Sequence, residues 1–454
     1  MKKLDYLVAA GLALVAAVLY FASTAAYAYP GESARLLCIW QGLETVSATP
    51  YPLMSFFARL LGGGNLIAPL CGVALAVLMY FNTVRFFRNR MNGENVQRFR
   101  IGGSMIAGVS ATVVLMLSPA VRSAATHAEP RLFAAVWLLA ALGVFALRGR
   151  WAAVVFPLLW GMGMADSPVF TVLAPAMLAA MWFKHPKHHR KAYAEMGLFV
   201  PLALLAFYLT ARSSGDFVAT FDALVGSFRS WTRTPGWMWI LFFATIPFFV
   251  AIASSTVAFN NEPGWMQWIF HIGMGVTSIL AVATPASPSS LMADAGVLPV
   301  LPCVFAAFTA GYLVSYWFIL AKARVRINES RDDKPVALKG RVFGIVALGA
   351  SAVVYGFTCL FNLFSFDAGA GAFADRFARE IVKDLGAREW LVTDGTLDHH
   401  LKLVSGGALN IVSLNRDLDD AYLKELSELV KAKNLGGEKN AELAMSLSLG
   451  VLPF

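Results

Sequence analysis

Stretches of about twenty mostly apolar residues recur along this chain, and that is the length of a helix that crosses a bilayer. The 454 residues are 58% hydrophobic and only 14% charged. An ordinary soluble domain carries about 25% charged residues. A water-soluble globule has no means of hiding so much apolar surface. Disordered chains lie at the other extreme, poor in apolar and aromatic residues. What remains is an α-helical polytopic membrane protein with one part that belongs in water.

Eleven candidate spans run over residues 6–28, 65–84, 101–120, 131–147, 151–164, 168–183, 196–211, 237–257, 264–284, 296–321 and 342–364. The fifth and sixth are short and flank Asp166-Ser167-Pro168, as one bent pair or a re-entrant element would. Lysine and arginine set the orientation, because they accumulate in cytoplasmic loops. With the N-terminus inside, the inner segments hold twenty of them. The outer loops hold seven: Arg35, Arg59, Arg122, Arg131, Arg212, Arg229 and Arg233. Much of the net charge of +9 is therefore an orientation signal and calls for no nucleic-acid partner. Met1-Lys2-Lys3, an apolar run and Ala26-Tyr27-Ala28 have the parts of a cleaved signal peptide. The run, at about 20 residues, exceeds the usual span of about 7–15, so a retained helix is expected.

The composition changes after residue 364. Residues 365–454 hold 10 of the 37 basic and 14 of the 28 acidic residues. Their pattern reads helix (Phe373–Leu385), strand (Trp390–Thr393), helix or turn (Leu397–Val404), strand (Leu409–Val412), helix (Asp419–Lys431). Such alternation predicts a small parallel sheet. Two domains follow: a transmembrane domain at 1–364 and a C-terminal α/β domain at 365–454, which eleven crossings place on the outer face. The closing Gly450-Val451-Leu452-Pro453-Phe454 reads like the middle of a segment, so a shortened form of a longer protein is expected. Cys38, Cys71, Cys303 and Cys359 form no close pair and read as small apolar fillers.

Carboxylates near a bilayer are informative, since lipid tolerates charge poorly. Glu32, Glu44, Glu129 and Asp166 come from three separate stretches, yet the topology brings all four to the outer ends of the first six helices. Ordinary loop acids, such as Asp216, Asp222 and Asp294, share that side. Glu32 lies in Pro30-Gly31-Glu32-Ser33, which reads either as a carboxylate fixed just above the lipid or as a helix-ending turn. An amphipathic stretch (34–43) and Thr49-Pro50-Tyr51-Pro52-Leu53 follow. The second outer loop packs Arg122, His127, Glu129 and Arg131 into ten residues. Its arginines suit a phosphate or the snorkelling of cations at a membrane edge. Asp166, at a glycine-rich break between short helices, reads as a substrate or ion position or as an ordinary turn.

His185, His188 and His189 sit among Lys184, Lys187, Arg190 and Lys191, and that much positive charge repels a metal. Asp394, Asp398, His399 and His400 are a denser group with metal-ligand chemistry. No Gly-rich phosphate loop, zinc-binding helix signature or nucleophile elbow is present.

Several of these segments resemble bacterial protein O-mannosyltransferase-like membrane proteins of the GT-C glycosyltransferase superfamily. Pro30-Gly31-Glu32-Ser33-Ala34, Tyr51-Pro52-Leu53 and Phe57-Ala58-Arg59-Leu60 are similar to that family's opening pattern, G-D-S-G-E, H-P-P-G-Y-P-L and L-x-x-R-L. Leu117-Ser118-Pro119 with Ala128-Glu129 resembles its S-P-T-x-W…A-E-V-Y segment. Gly161-Met162-Gly163-Met164-Ala165-Asp166 resembles its G-L-A-L-G-N-H. Order and spacing agree over about residues 25–185. The chain departs where the family's first acid becomes Glu32, its second acid becomes Arg35, and its two histidines become Ser47 and Ser167.

The resemblance implies a polyprenyl-phosphate sugar donor, a protein or glycan hydroxyl acceptor, and a reaction on the outer face of a bacterial inner membrane. An inverting transfer needs a carboxylate to take the acceptor's proton and cations on the departing phosphate. Glu32 is then the candidate base. Arg122, Arg131 and Arg35 are candidates for the phosphate. Glu129 and Asp166, beside Tyr51 and His127, would orient sugar or acceptor, or hold a divalent metal as a candidate cofactor. Two other readings stand beside this one. A transporter or flippase would put its charges at mid-membrane and show repeats. A non-catalytic membrane protein would display 365–454 to a partner.

Overall fold

A computed structural model describes residues 3–46, 48–90, 99–147, 149–184, 189–215, 217–222, 265–283, 300–322, 338–365 and 371–414, besides positions 225, 367, 369, 422 and 427. Helices dominate it. In chain order they are α1 (Lys3–Ala22), α2 (Glu32–Trp40), α3 (Pro52–Leu60), α4 (Ile67–Arg90), α5 (Arg100–Met116), α6 (Pro119–Ala124), α7 (Pro130–Phe145), α8 (Arg150–Asp166), α9 (Pro168–Lys184), α10 (His189–Ser213), α11 (Trp265–Val282), α12 (Val300–Lys322) and α13 (Leu338–Ser365). Ten of the eleven apolar segments read from the sequence coincide with helices. The segment at 237–257 lies outside the described residues. So do most of the basic loops at 91–98 and 323–337, His185 and His188, Ser47, Asp216, Arg229, Arg233, Asp294, most of Asp419–Lys431 and the chain's last five residues.

Five helices, α1, α4, α10, α12 and α13, are long and apolar enough to cross a membrane, and α5, α7, α8, α9 and α11 are apolar but shorter. The first helix ends at Ala22, short of the expected residue 28. There the Ser23 and Thr24 hydroxyls turn back onto the carbonyls of Leu19 and Tyr20 and take up bonds a further turn would have made.

α12 sits at the centre. Between Val300 and Ala321 only Val314 and Phe318 escape burial. α1 and α13 lie outside it with large apolar side chains exposed, among them Leu7, Leu14, Val353 and Phe357. Water would penalise such stripes, whereas lipid does not. Several of the polar groups inside are tied down, as an apolar surrounding favours. The Arg88 guanidinium donates to both oxygens of buried Asp5, at 2.7 and 2.8 Å. Ser315 donates to the Gly103 carbonyl, Asn82 to Leu139 and Asn362 to Val282.

Glycine sets the closest helix approach. A Cβ on Gly161 of α8 would lie 2.0 Å from the Ala203 carbonyl oxygen of α10. Small residues permit such contacts between membrane helices. Gly161→Ala should force the two apart and cost about 1–3 kcal/mol, the usual size of an overpacking penalty. Thermal unfolding in detergent measures this, and an unchanged midpoint would contradict so tight a crossing.

Over residues 371–414 the order of elements matches the expected alternation. α14 (Ala372–Leu385) precedes β1 (Trp390–Thr393), α15 (Asp398–Ser405) and β2 (Asn410–Ser413). The strands pair in parallel, with Trp390 opposite Asn410 and Thr393 opposite Ser413. Ala378, Leu401 and Ile411 make a small core beneath them. This unit docks on α2. The Cys38 thiol donates to the His399 carbonyl at 3.3 Å, so this cysteine is more than an apolar filler. His399 Nε2 lies 3.0 Å from the buried Glu44 carboxylate. Glu44→Ala should loosen the docking. Faster amide exchange over 390–413 is the expected outcome, and unchanged exchange would show that this pair holds nothing.

Candidate functional site

Three loops meet at one end of the bundle. The Ala25 amide after α1 donates to the Thr126 carbonyl between α6 and α7, at 2.8 Å. Asn65, just before α4, donates to the carbonyls of Ala25 and Tyr27 and accepts from the Ala128 amide. One side chain thus staples the exit of α1 to the entry of α7. Sequence reasoning passed over Asn65; its signal is a lone amide side chain at the mouth of an apolar run.

The first loop is built on two short helices. Gly31, at φ +84°, turns the chain so that α2 begins at Glu32. Glu32 therefore opens a helix rather than ending one, a place that favours a carboxylate. Its side chain is 41% exposed and 3.7 Å from Arg35, one turn on. The Trp40 indole donates to Ser55, and Ser55 donates to the Pro50 carbonyl, which ties α2 to the start of α3.

α3 begins unusually. Tyr51 has φ 48°, the sole positive φ among the described non-glycine residues. A left-handed residue of this kind costs about 1–2 kcal/mol, so something must hold it. Pro52 fixes the first helical turn. Asp166, from the end of α8, accepts the Leu53 and Met54 amides on its two oxygens, at 2.7 and 2.9 Å. It caps α3 from a distant part of the chain, where Tyr51 supplies no cap itself. Burial pushes the Asp166 carboxyl up to about 7, against the downward pull of those two amides.

Glu129 is the N-cap of α7 and accepts the Arg131 amide at 3.2 Å. Its carboxylate also lies 3.5 Å from the Arg131 guanidinium and 3.6 Å from His127 Nε2. Burial alone would raise its pKa. His127, Arg131 and the helix amide outweigh burial and hold the carboxyl below its ordinary value. His127 is buried, bonded to Thr126 through Nδ1 and stacked on Tyr29 with ring centroids 3.9 Å apart.

Tyr51 joins the two halves. Burial raises its hydroxyl pKa above the usual tyrosine range. Glu32 and then Glu129 push it further, while Arg131 and Arg35 pull it back. Four charges from two loops therefore act on one hydroxyl. Of the residues singled out in the sequence, Glu32, Arg35, Tyr51, His127, Glu129 and Arg131 come together here, with Asp166 beneath them as the support of α3. Arg122 goes elsewhere. It is buried and donates to the carbonyls of Asn362 and Leu363 at the end of α13. That is a favourable place for a cation. Glu44 is engaged with His399.

The group at 394–400 disperses. Asp394 bonds Thr396, Asp398 bonds Thr393, and His399 turns to Glu44. Among the described residues no three His, Cys, Asp or Glu gather into a metal-holding cluster. Tyr29 and Gly371 also belong to the site's surroundings and were not foreseen. Gly371 meets Tyr29 so closely that a Cβ would fall 2.3 Å from the ring. No protein-family model matches the chain, and no curated protein does either.

Proposed function

We propose that this membrane protein is a GT-C-type glycosyltransferase. In this reading it crosses a bacterial inner membrane eleven times from a cytoplasmic N-terminus and carries its C-terminal α/β unit on the outer face. It moves a sugar from a polyprenyl-phosphate donor to a hydroxyl on a protein or glycan. The observation that carries the reading is that two ion pairs from separate loops, Glu32 with Arg35 at 3.7 Å and Glu129 with Arg131 at 3.5 Å, both act on the buried Tyr51 hydroxyl at one end of an apolar bundle.

The chemistry divides as follows. The acceptor oxygen attacks the sugar's anomeric carbon, and its proton passes to Glu32. The bond from that carbon to the phosphate oxygen breaks, and the phosphate leaves with the electron pair. Arg131 and Arg35 are the cations placed to receive it, since Arg122 is committed to α13. A cation at that position stabilises the charge that develops on the leaving group. His127 and Glu129, locked to each other and to α7, are suited to orienting the sugar. Asp166 acts at one remove, by fixing α3 and Tyr51.

A direct assay tests this. The protein in proteoliposomes is given a labelled polyprenyl-phosphate sugar with hydroxyl-bearing peptides or glycans. Label should move to an acceptor as free polyprenyl phosphate is released. A donor that remains intact with every acceptor would contradict the proposal.

A further inference from the structure

α14 carries more apolar surface than its own core uses. Ala378, with Ile381 and Val382, packs on Leu401 and Ile411. Phe373 and Phe377 stand four residues apart on another face, 66% and 54% exposed. Two aromatic rings side by side in water are an unusual feature of a small polar unit.

Their place in the chain accounts for them. α13 is one of the helices long and apolar enough to cross a membrane. Its exposed residues Val353, Phe357, Leu360 and Phe364 share one face, and Phe364, at its end, is 83% exposed. α14 begins seven residues after Ser365, within a reach of at most about 25 Å. The other side is pinned too. Gly371 touches Tyr29 and hydrogen-bonds the Tyr27 hydroxyl through its backbone. Both tyrosines follow closely on α1, a second such helix. The first turn of α14 is thus held where two spanning helices leave the bilayer.

Charge narrows the occupant further. Arg376, Arg379 and Lys383 are balanced within α14 by Asp375, Glu380 and Asp384. Anionic headgroups therefore exert no special pull, and the rings are the adhesive feature. The geometry points to α14 as an interfacial helix whose Phe373 and Phe377 enter the lipid surface beside the end of α13. The occupant is bilayer lipid at the boundary of headgroups and acyl chains, where amphipathic helices bury aromatic residues. α13 itself exposes an apolar stripe and ends seven residues before α14 begins, which favours lipid over a second protein surface. This inference is independent of any catalytic activity.

Spin labelling of the full chain in nanodiscs of neutral phospholipid tests it. The four native cysteines are buried, so an introduced one is labelled selectively. Phe377→Cys is compared with Phe361→Cys, on the exposed side of α13, and with Asp394→Cys, in an exposed loop. The label at 377 should meet oxygen more often than an aqueous nickel chelate. Its oxygen-to-nickel ratio should match that at 361 and exceed that at 394 several-fold. A ratio like that at 394 would overturn the inference. So would shielding from both reagents, which would mean that protein covers the face. A label at Phe373→Cys must repeat the result, and disagreement between the two positions also overturns it.

Discussion

Asp166→Ala should destabilise the protein by about 2–4 kcal/mol, the size of two lost hydrogen bonds together with buried donors left unsatisfied. The Leu53 and Met54 amides have the two Asp166 oxygens as partners, and the carboxylate is buried. Without it α3 loses its cap, and the left-handed Tyr51 loses what holds it. Asp166→Asn keeps one acceptor oxygen but turns an NH2 group toward the second amide, so its cost should fall between those of parent and alanine variant. The effect has a pH signature. The carboxyl titrates near 7 when folded and near about 3.9 when unfolded. Between those values the folded chain holds a proton that the unfolded chain has released. Stability from this group is therefore greatest at low pH and is lost as the pH rises through the folded value. The gap in melting temperature between parent and Asp166→Ala should widen as the pH falls from about 8 to about 5. A constant gap would contradict the buried, pKa-raised carboxyl.

The sequence made the broad architecture legible because its signals are local. The lengths of apolar runs gave the helices, and the alternation after residue 364 gave a strand-helix-strand unit whose strands pair in parallel. The amphipathic stretch at 34–43 foreshadowed α2. The gathering of carboxylates at one end of the bundle was also legible, since it follows from alternating helix direction. What each polar side chain would bond to was not. Asp166 meets an amide 113 positions away, Arg122 a carbonyl 240 away, and Cys38 a carbonyl 361 away. No spacing rule reaches so far. Asp166 and Arg122 thus read alike with Glu129 and Arg131 in the sequence, although the fold makes the first pair props and leaves the second pair beside Tyr51. The positive φ at Tyr51 was hidden for a related reason: nothing in Pro50-Tyr51-Pro52 demands it, and the distant cap enforces it.

Glu32→Gln should lower sugar transfer by about a hundred- to ten-thousand-fold, the usual contribution of a positioned general base. The amide keeps the size of the side chain and cannot accept the acceptor's proton. Stability should hardly move. Glu32 is 41% exposed, and its ion pair is a 3.7 Å contact with an equally exposed Arg35. Exposed pairs of that kind contribute about 0.3–0.5 kcal/mol. A loss of transfer in a variant that melts like the parent is therefore chemical in origin. The decisive measurement follows transfer and donor binding together, in proteoliposomes holding either the parent or Glu32→Gln. The account predicts that the variant retains the polyprenyl-phosphate sugar and fails to pass it on. Transfer at the parental rate would contradict it.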